Sequence, residues 1–366
     1  AGSTGSDSGK SIAIDMDGNC YVLGEFESKV SFGDFSLTSR GQRDIFVAKL
    51  DTNGNWIWAV SGGGDTGVPH FSDSAGNIYL DKDSNIYITG YFFKTATFGT
   101  TTLSSYGYLH NNSSDSDIFI AKLDKDGKWL WAKSAGGKGN SYSPVITVDK
   151  NKNCYISGGF NDVFYFGNST LDSLSVNGSS NSNNYIAKLD KDGNWCWAKS
   201  VYGSNSCFVK EIFLDPEGYL YITGNFSDNA YFGTTTLTSH STGQLDIFFA
   251  KLNTNGEWIN IKQGNVSGPT LVCTKMDSKG YFYLTGYFNG TVTFGNISLA
   301  SIGTRDLFIA KLDNNANWLW VKSAHGHINS CKHDIDSKGN YYIIGYFTGT
   351  ADFGTTSLSI PSSNYQ

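Results

Sequence analysis

Nine tryptophans fall in one recurring phrase: Trp56/Trp58, Trp129/Trp131, Trp195/Trp197, Trp258 alone, and Trp318/Trp320. Residues i and i+2 of a strand share a face. Paired indoles on one face could stack against sugar rings, because amphipathic rings suit partly wet sites. They could equally pack one repeat on the next, since each ring buries a large area. Asn260 stands where the fourth copy's second Trp would be, so a set of platforms would be irregular. A lysine keeps the same rhythm, at Lys49, Lys122, Lys188, Lys251 and Lys311. Each phrase opens on an acid or amide: Asp44, Asp117, Asn184, Asp246 and Asp306. Such lysines could form a basic rim for anions. The simpler reading gives each lysine a carboxylate or carbonyl partner at the end of its own repeat.

Other reactive side chains are sparser. Turns such as Asp15-Met16-Asp17-Gly18-Asn19 and Asp81-Lys82-Asp83-Ser84-Asn85 resemble the start of a calcium loop. They lack its length and distal Glu, and turn chemistry accounts for them better. His325, His327 and His333 cluster near Cys331 and Asp334, but no full zinc shell is evident. The six cysteines, Cys20, Cys154, Cys196, Cys207, Cys273 and Cys331, show no CxxC. Most stand where sister repeats carry apolar residues, which suits buried thiols, and spacing assigns no disulfide pairing. There is no G-x-S-x-G, H-E-x-x-H or P-loop. No resident metal or cofactor is implied.

The elements that hold these residues repeat every ~60–67 residues, with one wider spacing between the copies at 44 and 117. The long phrase reads DIFVAKLDTNGNWIWAVSGG at 44–63, with copies opening at 117, 184, 246 and 306. A shorter phrase, of the kind IYLDKDSNIYITGYF at 78–92, occurs six times. An S/T/Y/D-F-G element follows each, as in TFGTTTL and YFGTTTL. Both phrases read as strand, turn, strand, rich in Val, Ile, Tyr, Phe and Trp. Asn53-Gly54, Asp126-Gly127, Asp192-Gly193 and Asn255-Gly256 suit turns with positive φ. The fifth copy has Asn315-Ala316, and Asn tolerates the left-handed region better, so Asn315 is expected there.

The strands are apolar on both faces: Ile45 and Val47 on one, Phe46, Ala48 and Leu50 on the other. Such strands lie in sheets covered on both sides. The expected fold is therefore all-β. It is a β-propeller of four-stranded blades of about 60 residues, with six blade positions and the last incomplete. The whole chain, 1–366, reads as one domain, with repeats at about 11–73, 74–142, 143–208, 209–269, 270–329 and a partial 330–366.

The D-x-F-x-A-K-L-D-x-x-G-x-W-x-W phrase and the G-x-x-Y-x-x-G-x-F phrase after it resemble the SBBP-type bacterial β-propeller repeat. The resemblance covers nearly all of the chain. It implies a secreted or cell-surface propeller, without a defined activity or catalytic residues.

The ends carry fragments of the phrase. Ala1-Gly2-Ser3-Thr4-Gly5 resembles its tail, and Asn364-Tyr365 its opening in the third copy. Three arrangements are open: a piece of a longer repeat protein, a ring with one thin blade, or an open edge that takes strands from a neighbouring copy. The start at Ala1 without a signal peptide fits a mature or trimmed form.

Composition narrows the function. A net charge of −6 argues against a nucleic-acid footprint, and no run of 18 apolar residues would span a membrane as a helix. The expectation is a non-enzymatic extracellular structural or interaction protein. It would assemble head to tail through terminal strands into a surface layer or filament. The alternative is a carbohydrate-binding lectin with glycan sites built from Trp56, Trp58, Trp129, Trp131, Trp195, Trp197, Trp258, Trp318 and Trp320.

Overall fold

Alternating β-branched and aromatic runs cut by Asp-x-x-Gly turns leave the chain little choice but antiparallel hairpins. A computed structural model describes residues 2, 5–64, 72–106, 115–137, 139–161, 163–166, 169–171, 183–264, 270–303, 305–336 and 338–360. The described chain is all-β and built of repeated modules. Each of the first five is a four-stranded antiparallel meander. In the first module the strands are Ser8–Ile14, Cys20–Phe32, Phe35–Leu50 and Trp56–Gly63. In the second they are Ser74–Leu80, Ile86–Phe93, Ser116–Leu123 and Trp129–Gly137. The third comprises Ser141–Val148, Cys154–Phe160, Asn183–Leu189 and Trp195–Gly203. The fourth comprises Ser206–Leu214, Leu220–Ser227, Asp246–Leu252 and Trp258–Gln263. The fifth has Thr270–Met276, Phe282–Phe288, Asp306–Leu312 and the start of Trp318–Ile335. The rest of that strand, with Tyr341–Phe353 and Thr356–Ser359, forms a half-module.

The chain divides into two compact units, Ala1–Ser175 with Asn183–Ser200, and Val176–Ser182 with Val201–Gln366. Within each unit the sheets stack, and the core lies between successive modules. Tyr21, Leu23, Ile45 and Val47 of the first module bury against Ala75, Ile78, Ile86 and Ile88 of the second. Ile118 and Ile120 of the second meet Ile146, Val148 and Ile156 of the third. In the other unit, Ile247 and Phe249 meet Leu271, Leu284 and Phe308. Ile45, Val47, Phe46 and Ala48 are all buried, as strands apolar on both faces require.

The F-G element is a small hairpin between the second and third strands of its module. In the second module it is Thr95–Phe98 with Thr101–Ser104, and its first strand pairs with the fourth strand of the preceding module, Gly62 opposite Phe98. Phe98 then packs on Phe119 and Trp129 of its own module. The hairpin thus staples consecutive modules. Gly136 opposite Tyr165 and Tyr202 opposite Tyr231 repeat the arrangement. In the first module the equivalent contact is a bridge between Gly2 and Ser31.

Among the described residues, eleven turns share one geometry. In each, the amide of the fourth residue bonds back to the carbonyl of the first, and the first residue's amide bonds to the carbonyl of the fifth. The fourth residue has positive φ every time: eight glycines, with Ser84, Lys152 and Ala316. The expectation for Asn315 is therefore corrected, because the left-handed residue of the fifth long phrase is Ala316, at φ 58°. The ladder decides this. A type I turn followed by a one-residue bulge puts the left-handed residue fourth, whatever side chain stands there.

Candidate functional site

The chemistry-bearing residues assemble as one row per module. The hairpin register places Tyr21 opposite Lys49, and Lys49 opposite Trp58. Tyr87, Lys122 and Trp131 align in the same way, as do Tyr283, Lys311 and Trp320. Each lysine ammonium lies over its tyrosine ring, at 4.8 Å in the first two modules, 5.3 Å for Lys188 on Tyr155 and 4.9 Å for Lys251 on Tyr221. The second tryptophan meets the same ring edge-on, as Trp58 does Tyr21 at 6.0 Å. Each tyrosine hydroxyl donates to the first aspartate of its short-phrase turn: Tyr21 to Asp15 at 3.1 Å, Tyr87 to Asp81 at 3.2 Å, Tyr221 to Asp215 at 3.0 Å. That aspartate's other oxygen accepts two backbone amides of the turn, as Asp15 Oδ1 does from Asp17 and Asn19. Lys49 also pairs with Asp15 at 3.8 Å, and Lys251 with Asp215 at 4.0 Å. Every lysine of the phrase thus meets a partner inside its own module.

The two tryptophans of a phrase do different things. The first, Trp56, Trp129, Trp195, Trp258 or Trp318, meets the hairpin phenylalanine of its module edge-on at 4.9–5.4 Å. In the first two modules the second also reaches the next module. Trp58 Nε1 donates to the Lys125 carbonyl at 3.2 Å, and Trp131 Nε1 to the Lys191 carbonyl at 3.3 Å. Each covers the turn glycine beyond, Gly127 and Gly193, where a Cβ would stand 2.9 and 3.0 Å from the indole. Trp197 meets Tyr155 at 6.1 Å, and Trp320 meets Tyr283 at 6.2 Å.

The fourth module explains its own exception. With Asn260 in place of the second tryptophan, the next turn carries Ala316 instead of glycine. Phe282 packs beside this position, 5.0 Å from Tyr221 and 6.0 Å from Phe249. Lys262 Nζ then caps the Asn315 carbonyl at 2.6 Å.

The acids that open the long phrase are buried at the far end of each module. Asp44, Asp117, Asp246 and Asp306 each accept an amide from the segment that follows the hairpin: Arg40, Tyr106, His240 and Ile302, at 2.8–3.0 Å. Their remaining surroundings differ. Asp73, deeply buried and facing the charge of Asp44, has its carboxyl raised well above the usual range, chiefly by burial. Burial, reinforced by Asp115, pushes Asp117 up to about 7. Asp246 receives the His240 ring at 2.8 Å and the Gln263 amide. Asp306 receives His325 Nδ1 at 2.6 Å and the Gly326 amide at 3.1 Å. Burial alone would raise Asp306, but His325 and the amides of Ile302 and Gly326 hold it below the ordinary value.

The histidines do not converge. His325 serves Asp306, while His333 lies against Thr285 Oγ1 at 2.9 Å and the Tyr341 hydroxyl. No group of three metal-ligating side chains occurs among the described residues. Cys20, Cys154 and Cys196 are free thiols, Cys154, Cys207 and Cys273 are buried, and the Cys331 side chain lies outside the described residues. Asn364-Tyr365 also lies outside them. Sequence reading marked Asp306 and His325 separately but missed Ser323, whose Oγ stands 3.3 Å from His325 Nε2. The available signal was a histidine where sister phrases carry Gly63, Gly136 or Tyr202.

Two apolar faces stay uncovered. In the first module Ile12 is 62% and Ile14 66% exposed, whereas Ile78 and Ile146, the equivalents of Ile12, are 6% and 5% exposed. In the half-module Tyr342, Ile344 and Tyr346 are exposed, whereas Tyr21, Leu23 and Glu25 at the same positions are buried. Beside Trp318, an open cleft of about 380 Å³ is lined by Lys262, Gln263, Asn296, Asn317 and Phe294. No helix is long and apolar enough to cross a membrane.

No protein-family model matches the chain. An uncharacterized WD repeat-containing protein of Acanthamoeba polyphaga mimivirus is 28% identical over 221 residues, 57% of this chain. The matched chain spans only 15% of that protein's length. Among solved structures, a member of the DUF4221 family from Bacteroides vulgatus aligns with 91% of this chain and 86% of its own, at 11% identity and a TM-score of 0.40. A thermostable family-43 glycoside hydrolase covers 86% of this chain and 94% of its own, at 13% identity and 0.35. A Synechocystis apocarotenoid oxygenase covers 86% and 61%, at 13% identity and 0.38. Likeness at these scores bears on neither the module arrangement nor the activity. The viral relative and the repeated strands support a repeat protein of the β-propeller type, and membership of the SBBP family is not shown.

Proposed function

We propose that the chain is an extracellular interaction protein, a propeller of six module positions that associates head to tail with further copies of itself. The observation that carries this reading is the pair of uncovered faces. At every described junction between full modules within a unit, the first-strand residues equivalent to Ile12 and Ile14 pack toward the module before. The second-strand residues equivalent to Tyr342 and Ile344 pack toward the module after. The two exposed faces are therefore the two halves of the junction the repeat already makes. Contacts of this kind grow without closing when the rotation does not close. Burial of isoleucine and tyrosine supplies the drive, at roughly 25 cal/mol per Å². Association asks for no reaction.

Sedimentation of wild type, Ile12→Glu and Ile344→Glu tests the idea. Wild type should grow in mass with concentration, and each variant alone should stay monomeric. An equimolar mixture of the two should stop at a heterodimer, because one intact face of each kind remains. A wild type monomeric at all concentrations, or variants that still grow, would overturn the reading.

The lectin alternative has one observation in its favour, the cleft beside Trp318 with its lysine, glutamine and two asparagines. Quenching of Trp318 fluorescence by a neutral glycan, lost in Trp318→Phe, would promote it.

A further inference from the structure

We propose that Ser323, His325 and Asp306 of the fifth module form an acyl-transfer centre acting on small carboxylic esters. Asp306 is fully buried and accepts His325 Nδ1 at 2.6 Å, which fixes the tautomer with Nε2 unprotonated. Nε2 faces Ser323 Oγ at 3.3 Å. Ser323 and His325 sit two residues apart on one strand, so both side chains share a face. Asp306 is anchored independently by the amides of Ile302 and Gly326, at 2.8 and 3.1 Å, so the imidazole is held from behind. Nucleophile, base and orienting acid stand in the order that defines such a triad by role and not by sequence position.

The sister modules are internal controls. Ser61 and Ser134 occupy the register of Ser323, opposite Phe46 and Phe119 as Ser323 is opposite Phe308. They share the buried Asp44 and Asp117, but Gly63 and Gly136 stand where the imidazole would be. The fourth module has the reverse defect: His240 reaches Asp246 at 2.8 Å, but Gln263 stands at the serine position, opposite Phe248. Among the described residues, only the fifth module brings all three together.

In the reaction Ser323 Oγ bonds to the acyl carbon while its proton passes to His325 Nε2. The carbon–oxygen bond to the alcohol then breaks, and that proton leaves with the alcohol. Water next attacks the acyl carbon, His325 takes its proton, and the Oγ–carbon bond breaks as the proton returns to Ser323. The sum is ester plus water to acid plus alcohol. Asp306 is a positioning residue.

The experiment treats the whole chain with a fluorophosphonate probe, whose phosphorus takes Oγ as fluoride leaves, and maps adducts by peptide mass spectrometry. Hydrolysis of p-nitrophenyl acetate is followed in parallel. The adduct should fall on Ser323 and not on Ser61 or Ser134. Ser323→Ala should abolish it. His325→Gln should slow both reactions at least ~100-fold, the lower range for loss of a general base, with the circular dichroism spectrum unchanged. Asp306→Asn should change the His325 tautomer seen in its ¹⁵N spectrum. No adduct on Ser323, equal adducts on the sister serines, or an unslowed His325→Gln would overturn the proposal.

Discussion

Asp117 and Asp306 open the same phrase and sit in the same burial, yet they differ in charge chemistry. Both accept two backbone amides, but Asp306 also has a histidine aimed at it, whereas Asp117 has burial and a neighbouring acid, and its carboxyl titrates near 7. In the folded state Asp117 therefore holds its proton more tightly than in the unfolded chain, where an aspartate titrates near 4. The stability it confers is full below pH ~4 and is lost as pH rises through about 7. Asp73 acts in the same direction. Asp15 and Asp190, whose carboxyls are lowered, act oppositely, and their contribution is lost only as the solution becomes strongly acid. Between pH 5 and 8 the urea midpoint of the wild type should therefore fall. Asp117→Asn should flatten that fall, and the third module already carries Asn184 at this position. A slope unchanged by Asp117→Asn would refute the assignment.

At the scale of elements, the F-G hairpin does more than link two strands. It bonds to the preceding module through Gly62 and Phe98, and packs Phe98 on its own module at 4.8 Å from Phe119 and 5.2 Å from Trp129. Phe98→Ala removes both roles and leaves a cavity, so a loss of about 3–5 kcal/mol is expected. Exposed Thr102 on the same hairpin should change by less than ~0.5 kcal/mol when replaced by alanine. Calorimetric midpoints of the two variants compare these effects directly. The strands, the turns and the repeat were legible in the sequence because period-2 apolarity and Asp-x-x-Gly signals are local. The staple was not, because nothing near TFGTTTL says that Phe98 lies opposite Gly62, some 36 residues earlier. The same limit hid Ser323, whose proposed role needs the neighbouring strand to supply Asp306. Ala316 was misread for a different reason: residue preference was weighed where ladder geometry decides.

For the molecule as a whole, stability should follow nearest neighbours, as in repeat arrays whose modules touch only the next in line. Within the first unit, Trp131 belongs to the second module, yet it donates to the Lys191 carbonyl and shields Gly193 of the third. The same ring meets Tyr87 at 6.3 Å. Trp131→Ala therefore damages one module from within and its follower at the turn of residues 190–194. Trp58, one module earlier, spans a different junction and makes its own bond to Lys125. Amide hydrogen exchange should show lost protection along Ser116–Leu123 and Asn183–Leu189, the strands next to the removed ring and its turn. Protection along Cys20–Phe32 of the first module should hold, because the contacts of that strand run through Trp58. Uniform loss across all three modules would mean that the unit folds as one block. Loss confined to the second would mean that the indole bridge contributes nothing to its neighbour.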